Sequence, residues 1–119
     1  MGLFSVRVAL RNPAQAERSR EIELRVDTGA LFSWRPAEVL EEIGIAPAET
    51  RQFRTITAAL IERRIGHVIV VYNGRTGAAN VVFGEPGDAA VLGATSLESL
   101  SVAPDPVQKI LVPAISPAF

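Results

Sequence analysis

The one compact group of residues whose types and spacing could do chemistry is Val26-Asp27-Thr28-Gly29-Ala30. Asp27 ends a stretch in which Ile22, Leu24 and Val26 alternate with Glu23 and Arg25, and a hydroxyl and a glycine follow it at once. A carboxylate at the end of a buried segment is costly unless it is paired or hydrogen-bonded. A carboxyl there suits acid–base chemistry. It equally suits the cap of a turn, for which Asp, Thr and Gly are common residues. The five residues alone leave both readings open.

Composition narrows the chemistry. The chain has 119 residues and no Cys, which excludes disulfide scaffolds, thiolate metal sites and cysteine nucleophiles. Its single histidine, His67, is the sole candidate for the base of a Ser-His-Asp triad, and a multi-histidine zinc site within one chain is ruled out. No metal and no cofactor are expected. Lys and Arg number 12 against 13 Asp and Glu, a net charge of −1, which argues against nucleic acid as the main partner. Arg51, Arg54, Arg63 and Arg64 read as a solvated hairpin face, since no aromatic interleaving accompanies them. His67, between Gly66 and Val68, reads as structural or surface, and Asp88 and Asp105 as residues of Gly- and Pro-rich turns. The longest strongly apolar run, residues 68–72, is far too short to span a membrane, and no basic segment followed by an apolar one opens the chain. Met1-Gly2 is a weak lipidation signal because Val6 stands where Ser or Thr is needed. A cytoplasmic protein with no membrane partner is expected.

The elements that must position Asp27 are mostly strands. Phe4, Val6, Val8 and Leu10 alternate with polar or small residues, and residues 22–26 do the same, so each predicts a strand with one buried face. Residues 36–43 predict a helix, with Pro36 in the first turn, Gly44 just past the end, and Val39, Leu40 and Ile43 on one face. Strands are expected at residues 53–59 and 61–72, the second apolar on both faces and so covered on both. Asn73-Gly74 is the strongest hairpin signal, with residues 78–83 returning. Gly84, Pro86 and Gly87 make a turn, residues 89–92 a short strand, 95–100 a short helix with Ala94 or Thr95 near its cap, and 107–112 a last strand. With 48% hydrophobic residues, the chain can bury a core as a single domain spanning residues 1–119, the core about 4–113 and a loose tail at 114–119. The pattern predicts an all-β, mainly antiparallel, small closed barrel with one or two short helices.

From about Val6 to Pro113 the chain resembles the retropepsin-like aspartic proteases, in particular small single-domain microbial members of that clan. The resemblance rests on Val26-Asp27-Thr28-Gly29-Ala30, Leu40-Glu41-Glu42-Ile43-Gly44-Ile45, Val71-Tyr72-Asn73-Gly74-Arg75, Val91-Leu92-Gly93-Ala94-Thr95-Ser96-Leu97-Glu98 and Lys109-Ile110-Leu111-Val112-Pro113, in that order. It implies a barrel of the acid-protease type and an endopeptidase active as a homodimer on peptides or proteins. Asp27 and its symmetry mate would share a proton and activate a water. Thr28 would hold the two loops in register across the dimer, Gly29 would allow the tight turn, and Ala30 is the small residue typical of the viral branch. Leu92 and Gly93 would lie beneath the active-site loop. Leu31 and Trp34 would line a substrate pocket, and Leu31 and Phe32 sit where viral relatives carry acidic residues. Thr57, Ala58, Ala59 and Leu60 fall at the flap, the hairpin that covers substrate in such enzymes. No Gly lies between Thr50 and Ile65, so this flap is expected to be longer, differently turned or partly helical. The alternative is a catalytically weak or inactive dimer of the same type that binds peptides or serves in assembly.

Overall fold

The computed structural model describes residues 2–118; Met1 and Phe119, ends of the two terminal stretches discussed above, lie outside them. Among the described residues, nine strands and two short helices follow in the order β1 (Gly2–Arg11), β2 (Ser19–Asp27), β3 (Ser33–Pro36), α1 (Ala37–Glu42), β4 (Glu49–Arg54), β5 (Leu60–Tyr72), β6 (Arg75–Gly84), β7 (Val91–Leu92), α2 (Ala94–Leu100), β8 (Val102–Asp105) and β9 (Ile110–Pro113). None of the helices among the described residues is long and apolar enough to cross a membrane.

Seven strands form one sheet in the order β1-β2-β7-β3-β6-β5-β4, and β8 and β9 form a separate pair. Most neighbours are antiparallel, with β2–β7 and β3–β6 parallel. The sheet curls until β1, already paired with β2, meets β5 through Ala9↔Val71, Leu10↔Val70 and Arg11↔Ile69. The hairpin of β4 and the outer half of β5 projects from this curl.

The period of two along each strand sorts side chains inward and outward. Val6, Val8 and Leu10 of β1 face Ile22, Leu24 and Val26 of β2 in the interior, with Val68 and Val70, Val81 and Phe83, and Leu92 closing around them. Leu40 of α1 and Leu97 and Leu100 of α2 plug the interior. Each such side chain contributes about 1.5–3 kcal/mol by leaving water. A second, smaller cluster gathers Phe32, Ile65 and Val82 with Trp34 and Phe53 on the hairpin side.

Several local expectations are corrected. The strand of residues 33–36 carries no alternating pattern, and its neighbours β6 and β7 hold it in place. Pro36 precedes the first helical residue instead of occupying it, with φ −52° and ψ 138°. The strand expected at 53–59 lies earlier, at Glu49–Arg54; this polar edge strand turns its outer face to solvent and keeps only Phe53 half-buried. The outward Ile69 and Val71 of β5 are only half-buried. The strand expected at 107–112 begins only at Ile110 and pairs with β8, which was not expected: Asp105 Oδ1 accepts the N–H groups of Val107 and Gln108, so the chain reverses there and Val107 is exposed. As expected, Asn73 and Gly74 both take positive φ, 49° and 82°, in the turn that closes Tyr72 on Arg75.

Candidate functional site

β2 delivers Asp27. Val26 is fully buried and hydrogen-bonded in register with Leu92, so the strand is fixed up to its last residue. Asp27 is half-buried, and Thr28 and Gly29 stand exposed beyond it. The chain then turns on the carboxylate itself: Gly29 N–H donates to Asp27 Oδ1 at 2.9 Å, and Ala30 N–H donates to the Asp27 carbonyl at 3.2 Å. Partial burial pushes the Asp27 carboxyl up, but hydrogen bonding, including that from Gly29 and Ala30, outweighs it and holds the group below the ordinary carboxylate value.

A layer of polar contacts holds this turn from below. The first N–H groups of a helix lack intrahelical partners. At α2 the Ala94 N–H donates to the Ala30 carbonyl at 2.8 Å, and the Thr95 N–H and hydroxyl donate to the Leu31 carbonyl at 3.0 and 2.8 Å. Gly93 N–H donates to Ser33 Oγ at 2.9 Å, and Ser33 Oγ meets Ser96 Oγ at 2.7 Å in a buried pair. Gly93 has no room for a side chain: an added Cβ would lie 2.4 Å from the Phe32 carbonyl oxygen and 2.9 Å from that of Ala30. Ser33 was not among the residues singled out in the sequence, and Thr95 and Ser96 entered only as a helix cap and as part of a motif, with no link to the Asp27 turn. The local signal for Thr95 and Ser96 is a pair of hydroxyl residues in the first turn of a helix that starts just after Gly93; Ser33 carries none.

The hairpin tip closes without glycine. Thr55 N–H donates to the Ala59 carbonyl at 2.9 Å and Ala58 N–H to the Thr55 carbonyl at 2.9 Å, while Ala59 N–H donates to Thr55 Oγ1 at 3.1 Å. Ala58 takes the left-handed position, φ 68°, that glycine usually fills. Of the three expected outcomes, this is the differently turned one: a turn closed by the Ala58 N–H on the Thr55 carbonyl, with Ala58 itself left-handed. Ile56 and Leu60 are exposed around it.

Leu31 is 62% exposed beside the Asp27 turn. Trp34 is half-buried and edge-on to Phe53 of β4, the ring centroids 5.1 Å apart. Phe32 is buried against the same hairpin residue, 6.1 Å away. The expected basic face is divided among separate partners. Arg51 pairs with Glu49 and lies 5.5 Å from the centre of the Phe32 ring, Arg64 lies 4.9 Å from that of Phe83, and Arg63 grips Asp88. His67 is exposed, its Nδ1 3.0 Å from Asn80 Oδ1. It lines two shallow clefts of about 300 and 410 Å3, neither of which includes Asp27. Among the described residues no three His, Asp or Glu side chains gather so as to hold a metal ion.

No family model matches this chain, and no curated protein matches it. Among solved structures it is similar to the solution structure of the simian foamy virus (mac) protease, with a TM-score of 0.47 and 19% identity over 78% of this chain and 92% of that one.

Proposed function

We propose that this chain is one half of an aspartic endopeptidase, a single-domain closed barrel of the acid-protease type that works as a homodimer. The observation that carries the reading is the Asp27 turn. A carboxylate stands at the open end of a buried strand, one oxygen is held by Gly29 N–H, and the turn is clamped from beneath by Gly93, Ala94 and Thr95. A residue that merely ends a strand needs no such clamp. The pairing of β1 with both β2 and β5 supports the barrel, and the hairpin packed on Phe32 and Trp34 supports a flap over the substrate.

In the dimer, Asp27 of each copy faces the other. Two carboxyls held close cannot both ionise easily, so they share one proton as a coupled pair. The ionised member takes a proton from a bound water, and that water's oxygen attacks the peptide carbonyl carbon. The protonated member gives its proton to the carbonyl oxygen as the tetrahedral intermediate forms. Collapse of the intermediate returns a proton to the departing amine, breaks the C–N bond and restores the pair. Thr28 ties the two turns together, Gly29 lets the backbone approach substrate, and Ala30 keeps the turn compact. Thr57, Ala58, Ala59 and Leu60 close over an extended peptide that adds as a strand, with Leu31 and Trp34 offering it an apolar pocket. No cofactor takes part, and the cytoplasm is the proposed compartment.

The test compares wild type with Asp27→Asn on a diverse peptide mixture from pH 4 to 7, read by mass spectrometry at a concentration where light scattering shows a dimer. Cleavage by wild type and at least a thousandfold less by the variant is expected, since it removes the general base. Equal outcomes for the two proteins would sink the enzyme and leave the peptide-binding or assembly module.

A further inference from the structure

Apart from the exposed Arg64, which lies over the Phe83 ring and 3.9 Å from Glu41, the β4–β5 hairpin meets the body of the molecule at two places. One is aromatic: Phe53 against Phe32 and Trp34. The other is ionic. Arg63, on β5, sends Nε and Nη2 to Asp88 Oδ2 and Oδ1 at 2.6 and 3.0 Å, with Glu85 3.7 Å from Nη1. The side chains of Arg63 and Asp88 are only 14% and 15% exposed, whereas Arg7 and Glu21 are 66% and 70% exposed and Arg51 and Glu49 45% and 48%. A forked, shielded pair of this kind is stronger and more directional than a surface contact.

Asp88 does two things at once. Its Oδ2 also accepts the Glu85 N–H at 2.8 Å, which closes the turn between β6 and β7 around Gly87 at φ 91°. The chain then runs directly into β7, whose Val91 and Leu92 pair with Arg25 and Val26, and on to Gly93 beneath the Asp27 turn. The ion pair therefore links the hairpin to the strand that seats the carboxylate. The β4–β5 ladder holds the hairpin together as a hairpin, but it does not fix the hairpin's tilt. A contact that reaches across to another turn does.

We propose that the Arg63–Asp88 pair is a latch that fixes the β4–β5 hairpin in its position over a bound peptide, which makes Arg63 and Asp88 positioning residues. The inference rests on the hydrolytic reading above. With the latch broken, the hairpin pivots about its base in β5, and a substrate must order it on binding. The loss then falls on KM more than on kcat.

The test uses the full chain as wild type, Asp88→Asn, Arg63→Met and the double variant. Asn keeps an oxygen for the Glu85 N–H, so the turn survives the loss of charge. Amide hydrogen exchange is followed by NMR in the dimer. Asp88→Asn and Arg63→Met each speed exchange at Phe53 and Ile61 by about tenfold, while β1–β2 amides stay within about twofold. The double variant adds little beyond either single change. On a cleaved peptide, KM rises about fivefold or more and kcat stays within about twofold. Unchanged exchange in the hairpin overturns the latch. So does a uniform rise across all amides, or a loss confined to kcat. Absence of cleavage by wild type overturns the hydrolytic role, while exchange, which needs no substrate, still decides the latch.

Discussion

Gly93→Ala puts the support of the Asp27 turn to its sharpest test. The backbone of Gly93, at φ −91° and ψ 176°, is one alanine adopts freely, so the substitution carries no conformational penalty of its own. What it meets is backbone. The new Cβ would lie 2.4 Å from the Phe32 oxygen, 2.5 Å from the Phe32 carbonyl carbon and 2.9 Å from the Ala30 oxygen, where ordinary contact begins at 3.4 Å. Residues 30–32 must therefore retreat by about 1 Å, and they are joined to Asp27 by the turn itself. Overpacking of this kind costs about 1–3 kcal/mol, and with only backbone in the way the upper end applies. The lower entropy of the unfolded alanine chain returns about 0.4–1 kcal/mol. A net loss of about 2 kcal/mol lowers Tm by about 8 °C in a domain of this size. Gly74→Ala is the matched control: φ is 82° there and nothing lies within 4 Å of the added atom, so it loses about 1 kcal/mol through backbone strain alone. Urea unfolding gives both losses, and amide chemical shifts of Ala30, Leu31 and Phe32 report the displacement. A shift of this size near a reacting group can cost about a hundredfold in rate. The reasoning fails if Gly93→Ala destabilises no more than Gly74→Ala, or if the three amides do not move.

Two further outcomes are expected. Ala58→Gly relieves the left-handed strain at the hairpin tip, where φ is 68°, and should stabilise the chain by about 0.5–1 kcal/mol, read as a higher urea midpoint. A lower midpoint would show that the tip does not take this turn. The hydrogen bonds and charge of Arg63 hold the Asp88 carboxyl below its ordinary value, against the opposing effect of burial. Its contribution is therefore complete above the unfolded carboxylate value of about 4 and is lost as pH falls through the lower folded value. Glu85 is the other charged group facing Arg63, 3.7 Å from it. Wild type should lose stability more steeply than Asp88→Asn between pH 5 and acid, and parallel curves would contradict the pairing.

The parts of the fold legible in the sequence are those in which one strand repeats a pattern on its own. Val6-Val8-Leu10 and Ile22-Leu24-Val26 alternate because one face meets the interior, and Asn73-Gly74 can take two positive φ values where other pairs resist. What escaped were segments made by their neighbours. Residues 33–36 are a strand because β6 lies on one side and β7 on the other. Glu49–Arg54 is one because β5 offers an edge, and its own residues would suit a solvated loop. Residues 107–112 looked like one strand because Val107 resembles its apolar neighbours, yet the carboxylate of Asp105 bends the chain there.

At the site the same division has a chemical consequence. Asp27, Thr28 and Gly29 could be picked out because they stand together. The groups that make their turn rigid do not: Ser33 and Ser96 are 63 residues apart, and the Leu31 carbonyl and Thr95 hydroxyl 64. Arg63 and Asp88 looked like a solvated arginine and a turn aspartate, since a sequence shows a charge but not its partner. Here the start of α2 spends its unpaired N–H groups on the Ala30 and Leu31 carbonyls, so the helix end and the turn each satisfy the other. The rigidity that the proposed hydrolysis would need at Asp27 therefore comes from residues 93–96, and substitutions there should loosen the turn as much as changes in residues 28–30 that touch it directly.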